Sequence, residues 1–464
     1  MPISAARPPS ESGTMDLPVQ QFRTKAEQAF LDMFEAAGKA LPGAGDPFVS
    51  GLRRQAIETY GRLGLPHRRI EAWKYTDLRA RLTDVNPLLK AEGIAVSEAD
   101  LARALGGELA GLPAYRLVVV EGDLRTDLSH IADLKAAGVE VLSLGRALEN
   151  PPSWLKAALA QVNPRQDDAV VALNAALMTG GAAICMGAAA LLDKPIHLIQ
   201  LDGKGDPATT VTRNVVIAEP GSSATLIESF AGLGMRGLQR NAVTEIRVGD
   251  KAALRHVKLE RDGEDALHLS TALIELAGDA RYDAFQFSTG ASLSRSQGYL
   301  AFMGEHSAAD ISGAFLMRGQ QHCDTTLLVE HRVPHCTSRE LFKGVLDNEA
   351  RGVFQGKIIV SPGAQKTDGK QMAGALLLSE LAEFDSKPEL EIFADDVVCG
   401  HGSTSGQIDG DLLFYLEARG IPEAEARALL IQAFVGEALE RVEDEGLRDA
   451  LARASAEWLG VRFD

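Results

Sequence analysis

Apolar positions near the start of the chain recur with a helical period. Phe30, Phe34, Ala37 and Leu41 make one stripe, and Leu52, Ala56, Tyr60 and Leu63 make a second. The proline- and glycine-containing segment 42–47 separates them. Ser97, followed by Asp100 ahead of Leu101 and Leu105, has the form of a capping box. Short β-rich runs follow at 116–120 and 139–144, so residues 17–165 read as helical and mixed α/β. Residues 1–16, rich in Pro, Ser and Ala, are predicted to be a disordered tail.

The pattern changes over 166–402. Long helical periods give way to short runs of Val, Ile, Leu, Thr and Phe broken by Gly, Asp, Asn and Pro. An apolar run leading into a glycine-marked turn recurs at Gly221, Gly249, Gly278 and Gly304, spaced 28, 29 and 26 residues apart. A regular period in that range marks stacked repeats. Strands without intervening helices exclude a doubly wound sheet. The period is too short for propeller blades and fits the coils of a β-helix, with a β-sandwich as the competing reading. The segment 403–464 turns helical again. Asp409 caps a helix carrying Leu412, Leu413, Tyr415 and Leu416, and Gly420 closes it. Pro422 opens a second helix with Leu429, Leu430, Ala433, Phe434 and Leu439, and a third runs from Leu447 to Leu459. These helices either cap the solenoid end or dock a partner.

The 464 residues are 45% apolar and 24% charged, ordinary for a globular chain, and carry a formal charge of −17. No basic patch invites nucleic acid, and the acidity disfavours anionic membranes. No apolar run is long enough to span a bilayer, and the N-terminus has no secretory core. The four cysteines, Cys185, Cys323, Cys336 and Cys399, are widely spaced, as reduced thiols in a cytoplasm are.

No P-loop, nucleophile elbow, H-E-x-x-H or dinucleotide fingerprint is present, and Gly402–Gly406 has Thr404 at its centre. The strongest local feature is the stretch 390–402, which contains Cys399 and His401. Read as one strand, it places Leu390, Ile392, Ala394 and Val398 on one face. Phe393, Asp395, Val397, Cys399 and His401 share the other. If the Leu390 set packs inward, a thiol and an imidazole project outward together, and a partner must complete their metal site. The alternative is a buried cysteine beside a hydrogen-bonded histidine. A second group, His322, Cys323, His331, His335 and Cys336, has metal-compatible residue types but no standard zinc spacing, and reads as structural. Asp347, Asp368, Asp385, Asp395 and Asp396 raise a rival reading, a secreted-type β-helix polysaccharide lyase or hydrolase. The repeat region, however, holds no Trp and only Tyr282 and Tyr299 as sugar platforms. A third reading is an inert structural binding module.

Several strings resemble the SufB/SufD family of iron–sulfur cluster assembly proteins. They are Glu71–Asp77 with its Trp-Lys-Tyr-Thr core, Ser338–Val345, Arg351–Gly356, Gln365–Gly369 and Lys387–Ile392. Asp395-Asp396, Cys399–Thr404, Gln407–Asp409, Leu413–Leu416 and Arg419–Ile421 complete the set. The similarity is nearly unbroken over 338–435, looser over 17–337, and closer to the SufD branch. It implies an N-terminal helical region, a right-handed parallel β-helix and a C-terminal helical domain. It also implies a non-catalytic cytoplasmic scaffold, with no stably bound cofactor, in a complex of one SufB, two copies of the SufC ATPase and one SufD. A homodimer is one form open to the chain without SufB. Under the resemblance His401, and more weakly Cys399, would hold transient iron or a nascent cluster at the SufB interface. Leu412, Phe414, Tyr415, Arg419 and Phe434 would lie in the SufC docking region.

Overall fold

The computed structural model describes residues 23–89, 94–162, 168–203 and 205–460; the tail expected to be disordered lies outside them. The body is a parallel β-solenoid. Its strands alternate between two sheets, one of ten strands and one of nine, and each strand hydrogen-bonds in register to the strand one coil away. Thr209, Gln239, Leu267, Leu293, His322, Arg351 and Glu383 are register partners in successive coils, so one coil takes 26–32 residues. The sandwich reading is thereby excluded.

The repeated corner differs in detail from the glycine pattern. The left-handed backbone position falls in successive coils on Gly221, Lys251, Asp279, His306, His335 and Lys366. Only the first of these is a glycine. Bonds between coils hold four of the others there: Lys251 N–H donates to Gly278 O, Asp279 N–H to Glu305 O, His335 N–H to Gln365 O and Lys366 N–H to Asp396 O. Each replaces some of the freedom glycine would have given.

The strands are buried on both faces, which explains why they do not alternate cleanly in sequence. Inward positions such as Ile246, Ile274, Leu300, Val329 and Ile358 fill the lumen. On the nine-stranded sheet, outward positions such as Val211, Val215, Leu269 and Leu293 pack under the N-terminal helices through Phe30, Tyr60 and Trp73. On the ten-stranded sheet, outward Phe285, Ala314, Leu316 and Val345 pack under Ile431, Val435 and Leu439. The C-terminal helices Glu423–Leu439 and Glu445–Leu459 therefore lie along the side of the solenoid and do not cap its end, and the largely exposed helix Gly410–Glu417 leads into them. Their buried face also differs from the stripe read in sequence. Ala426, Ala428, Ile431, Val435 and Ala438 are buried, whereas Ala433 is exposed.

The two ends of the solenoid are built differently. At the N-terminal end Asp123–Leu124 runs antiparallel to Tyr115–Val120, and Val139–Ser143 runs antiparallel to Ala182–Met186, so both sheets end in short antiparallel strands. At the C-terminal end the last strands, Glu383–Ile392 and Val398–Gly406, each leave an unpaired edge. No described helix is long and apolar enough to cross a membrane.

Candidate functional site at the open end

The stretch 390–402 is not one strand. Residues 393–397 turn the corner, so Leu390 and Ile392 end one sheet while Cys399 and His401 begin the last strand of the other. Leu390 packs against the core, as expected. The inference that Cys399 and His401 then point outward fails, because a corner intervenes and the face is set afresh. Register places Cys399 in an inward column with Ala309, Ser338 and Gly369. His401 tops the neighbouring inward column of Ile311, Glu340 and Gln371. His401 is nevertheless exposed, because no further coil covers it. Cys399 is half-buried against the lumen core, and burial pushes its thiol above the ordinary range. At neutral pH the Cys399 thiol is therefore largely protonated, which makes it a poor donor.

Beneath His401 the column is polar and dry. Glu340 is buried, and neither carboxylate oxygen has a hydrogen-bond partner among the described residues. Burial alone pushes its carboxyl up to about 8. Gln371 crosses the lumen, its Nε2 donating to Gly356 O and Glu389 O at 3.3 Å each. A Cβ at Gly356 would meet Gln371 Oε1 at 2.1 Å, so only glycine admits this crossing. Sequence reading missed both residues. Neither strand is a clean apolar run, so nothing in the sequence singled out these two polar side chains as inward.

Around the opening, Ile392, Phe393 and Val398 expose 41, 59 and 61% of their surface and form an apolar rim. Leu412, Phe414 and Tyr415 are exposed on the next helix, with the Arg419 guanidinium 4.3 Å from the Tyr415 ring centre. Phe434 faces the solenoid instead: Lys343 Nζ lies 4.5 Å over its ring and pairs with Glu437 at 2.6 Å.

The second histidine–cysteine group does not assemble. His322 points outward, its Nε2 2.9 Å from Thr76 Oγ1, while the adjacent Cys323 packs in the lumen. His331 stacks on Phe302 at 4.5 Å, His335 stacks on His306 at 4.8 Å, and the Cys336 thiol donates to Gly304 O. Burial lowers His322 and His331 to about 4. The acids behind the lyase reading are dispersed too: Asp368 pairs with Arg339, Asp385 with Arg351 and Asp396 with Lys366.

Comparison with known proteins fixes the setting. The SufBD core domain of the SUF iron–sulfur assembly system matches residues 199–434, and the SufBD N-terminal region matches 24–198. The chain belongs to the SufB/SufD family. It is 31% identical to the Escherichia coli iron–sulfur cluster assembly protein SufD over 93% of this chain and 96% of that one. A SufBD family protein of Synechocystis is 31% identical over 88% and 91% of the two chains. Bacillus subtilis SufD is 24% identical over 87% and 92%. A role in SUF iron–sulfur cluster assembly follows from this membership.

Family membership also gives the dispersed strings a common place. Trp73 lies under the Arg295 guanidinium at 3.7 Å, and Arg295 Nη2 donates to Ala72 O at 2.7 Å. Thr76 Oγ1 donates to Asp324, Gln355 donates to Ala72 O, and Lys387 pairs with Glu71. The Trp-Lys-Tyr-Thr segment is thus the clamp that fastens the N-terminal region to four consecutive coils.

Proposed function

We propose that this chain is the SufD-type scaffold subunit of a SUF complex. It pairs with SufB through the open solenoid end and with SufC through the C-terminal helices, in a complex of one SufB, two SufC and one SufD. His401 contributes a ligand to iron or a nascent cluster at the SufB junction, with Cys399 as the weaker donor. The observation that supports this reading most is the asymmetry of the solenoid. Short antiparallel strands end one side, whereas the other ends in two long parallel edge strands with an apolar rim and an exposed imidazole. Unpaired parallel edges are strong templates for another chain's strands. A single imidazole leaves most of a metal's coordination positions for the partner, which suits a scaffold that must release its product. ATP hydrolysis would belong to SufC, consistent with the lack of a P-loop motif in this chain.

The test is co-expression with the neighbouring SufB-like and SufC-like chains, followed by iron and sulfide analysis of the purified complex. His401→Ala should leave the subunits co-purifying and reduce cluster content at least tenfold. Cluster content equal to wild type would remove His401 from the site.

A further inference from the structure

One pair of histidines on the flank of the solenoid is left unused by the proposed function. His306 and His335 hold the same corner position in successive coils, both with left-handed backbone, at φ 62° and 61°. Their imidazoles stack with ring centres 4.8 Å apart and planes 20° from parallel. Both side chains are exposed, and no ring nitrogen of either makes a hydrogen bond among the described residues. A carboxylate stands beside them: Glu305 Oε2 lies 3.9 Å from His306 Nε2, and these two side chains are 55 and 58% exposed.

The backbone that carries these groups is tied down on both sides. Asp279 N–H donates to Glu305 O at 2.9 Å, and His335 N–H donates to Gln365 O at 3.0 Å. The Cys336 thiol donates to Gly304 O at 3.4 Å, which joins the two corners directly. The nearest cations are engaged elsewhere: Arg332 pairs with Glu330 at 2.6 Å, and Lys366, at the next corner, pairs with Asp396. One coil earlier the same corner position carries another exposed carboxylate, Asp279. The rings are therefore free to move on a fixed frame, in a setting that favours a cation.

We infer that His306, His335 and Glu305 form an exchangeable surface site for one divalent transition-metal ion, of the class that includes iron(II) and zinc. Imidazole nitrogen and carboxylate oxygen bind such ions at about 2.0–2.2 Å. An ion between His306 Nε2 and Glu305 Oε2 fits their present separation of 3.9 Å. The second imidazole converges by turning about χ2, a broad torsion that costs an exposed ring little. Two imidazoles and one carboxylate, with the remaining positions left to water, are a donor set that accepts iron(II). Those open positions make the ion exchangeable, unlike one in a closed four-ligand site. The site lies on the outside of the solenoid, two corners before the last one at 393–397, and does not depend on the role proposed for His401.

The full-length His401→Ala chain, which lacks the imidazole of the open end, should bind one zinc per chain in a calorimetric titration after EDTA treatment. Adding His306→Asn or His335→Asn should weaken that binding at least tenfold. Asparagine tolerates a left-handed backbone, so the urea midpoints should not move. In the unaltered chain, zinc or anaerobic iron(II) should protect His306 and His335 from diethylpyrocarbonate, read by peptide mass spectrometry. Absence of zinc binding by the His401→Ala chain would overturn the site. Unchanged affinity in both asparagine variants would do the same, as would equal modification of the two histidines with and without metal; the stacked pair would then be a ring contact only.

Discussion

At the scale of single residues the inward column under His401 sets a pH dependence. Glu340 has its carboxyl raised from an ordinary 4.5 to about 8 by burial. The folded chain therefore keeps a proton that the unfolded chain loses above pH 4.5. Its contribution is greatest below that value and is lost as pH rises toward 8, by at most about 5 kcal/mol. Glu340→Gln, which keeps the shape and removes the titration, should flatten urea-unfolding stability between pH 5 and 8 and stabilise the chain at pH 8. A variant with the same pH slope as wild type would show that Glu340 is not the titrating group. Cys399 is legible in the same terms: its sequence position promised a ligand, but its half-buried thiol is the poorer donor of the pair.

At the scale of elements the decisive object is the clamp of residues 71–77. A short 3-10 turn, Glu71–Trp73, has little stability of its own. It is ordered by what it lies on: Trp73 on Arg295, Thr76 on Asp324 and His322, and Glu71 on Lys387. Trp73→Ala should cost about 3–5 kcal/mol, seen as a lower urea midpoint, and should expose the N-terminal helices to proteolysis before the solenoid. Equal protease resistance in the variant would show that the helices are held elsewhere. The same cluster explains His322. Its residue type suited metal while its spacing read as structural, and it is a buried hydrogen-bonding partner of a threonine more than two hundred residues earlier. Sequence spacing carries no information about such a contact.

At the scale of the whole molecule the two ends of the solenoid divide the work. A solenoid is stabilised by neighbours stacking on neighbours, so an uncovered terminal coil is costly unless something else covers it. Antiparallel strands do so at one end. At the other, the rim of Ile392, Phe393 and Val398 is exposed, the face that the proposed pairing would cover. Phe393→Lys with Val398→Lys should change the stability of the isolated chain by no more than about 1 kcal/mol, since both side chains are exposed. The same pair should abolish co-purification with the SufB-like partner. Retained pairing would place the interface on another face.

Much of this architecture was readable from the chain alone. A coil period near 28 residues and the Asp409 cap are local properties, and local sterics and burial impose them directly, whereas the helix Ala169–Leu177 breaks into the stretch 169–399 that read as nearly free of long helical periods. Which way Cys399 and His401 face was not readable. A corner at 393–397 resets the alternation, and nothing in the residue types announces where a strand ends inside a solenoid. The lumenal polar groups were hidden for the same reason. Glu340 and Gln371 become neighbours of other coils only when parallel register stacks them, and register is decided by packing over the whole body.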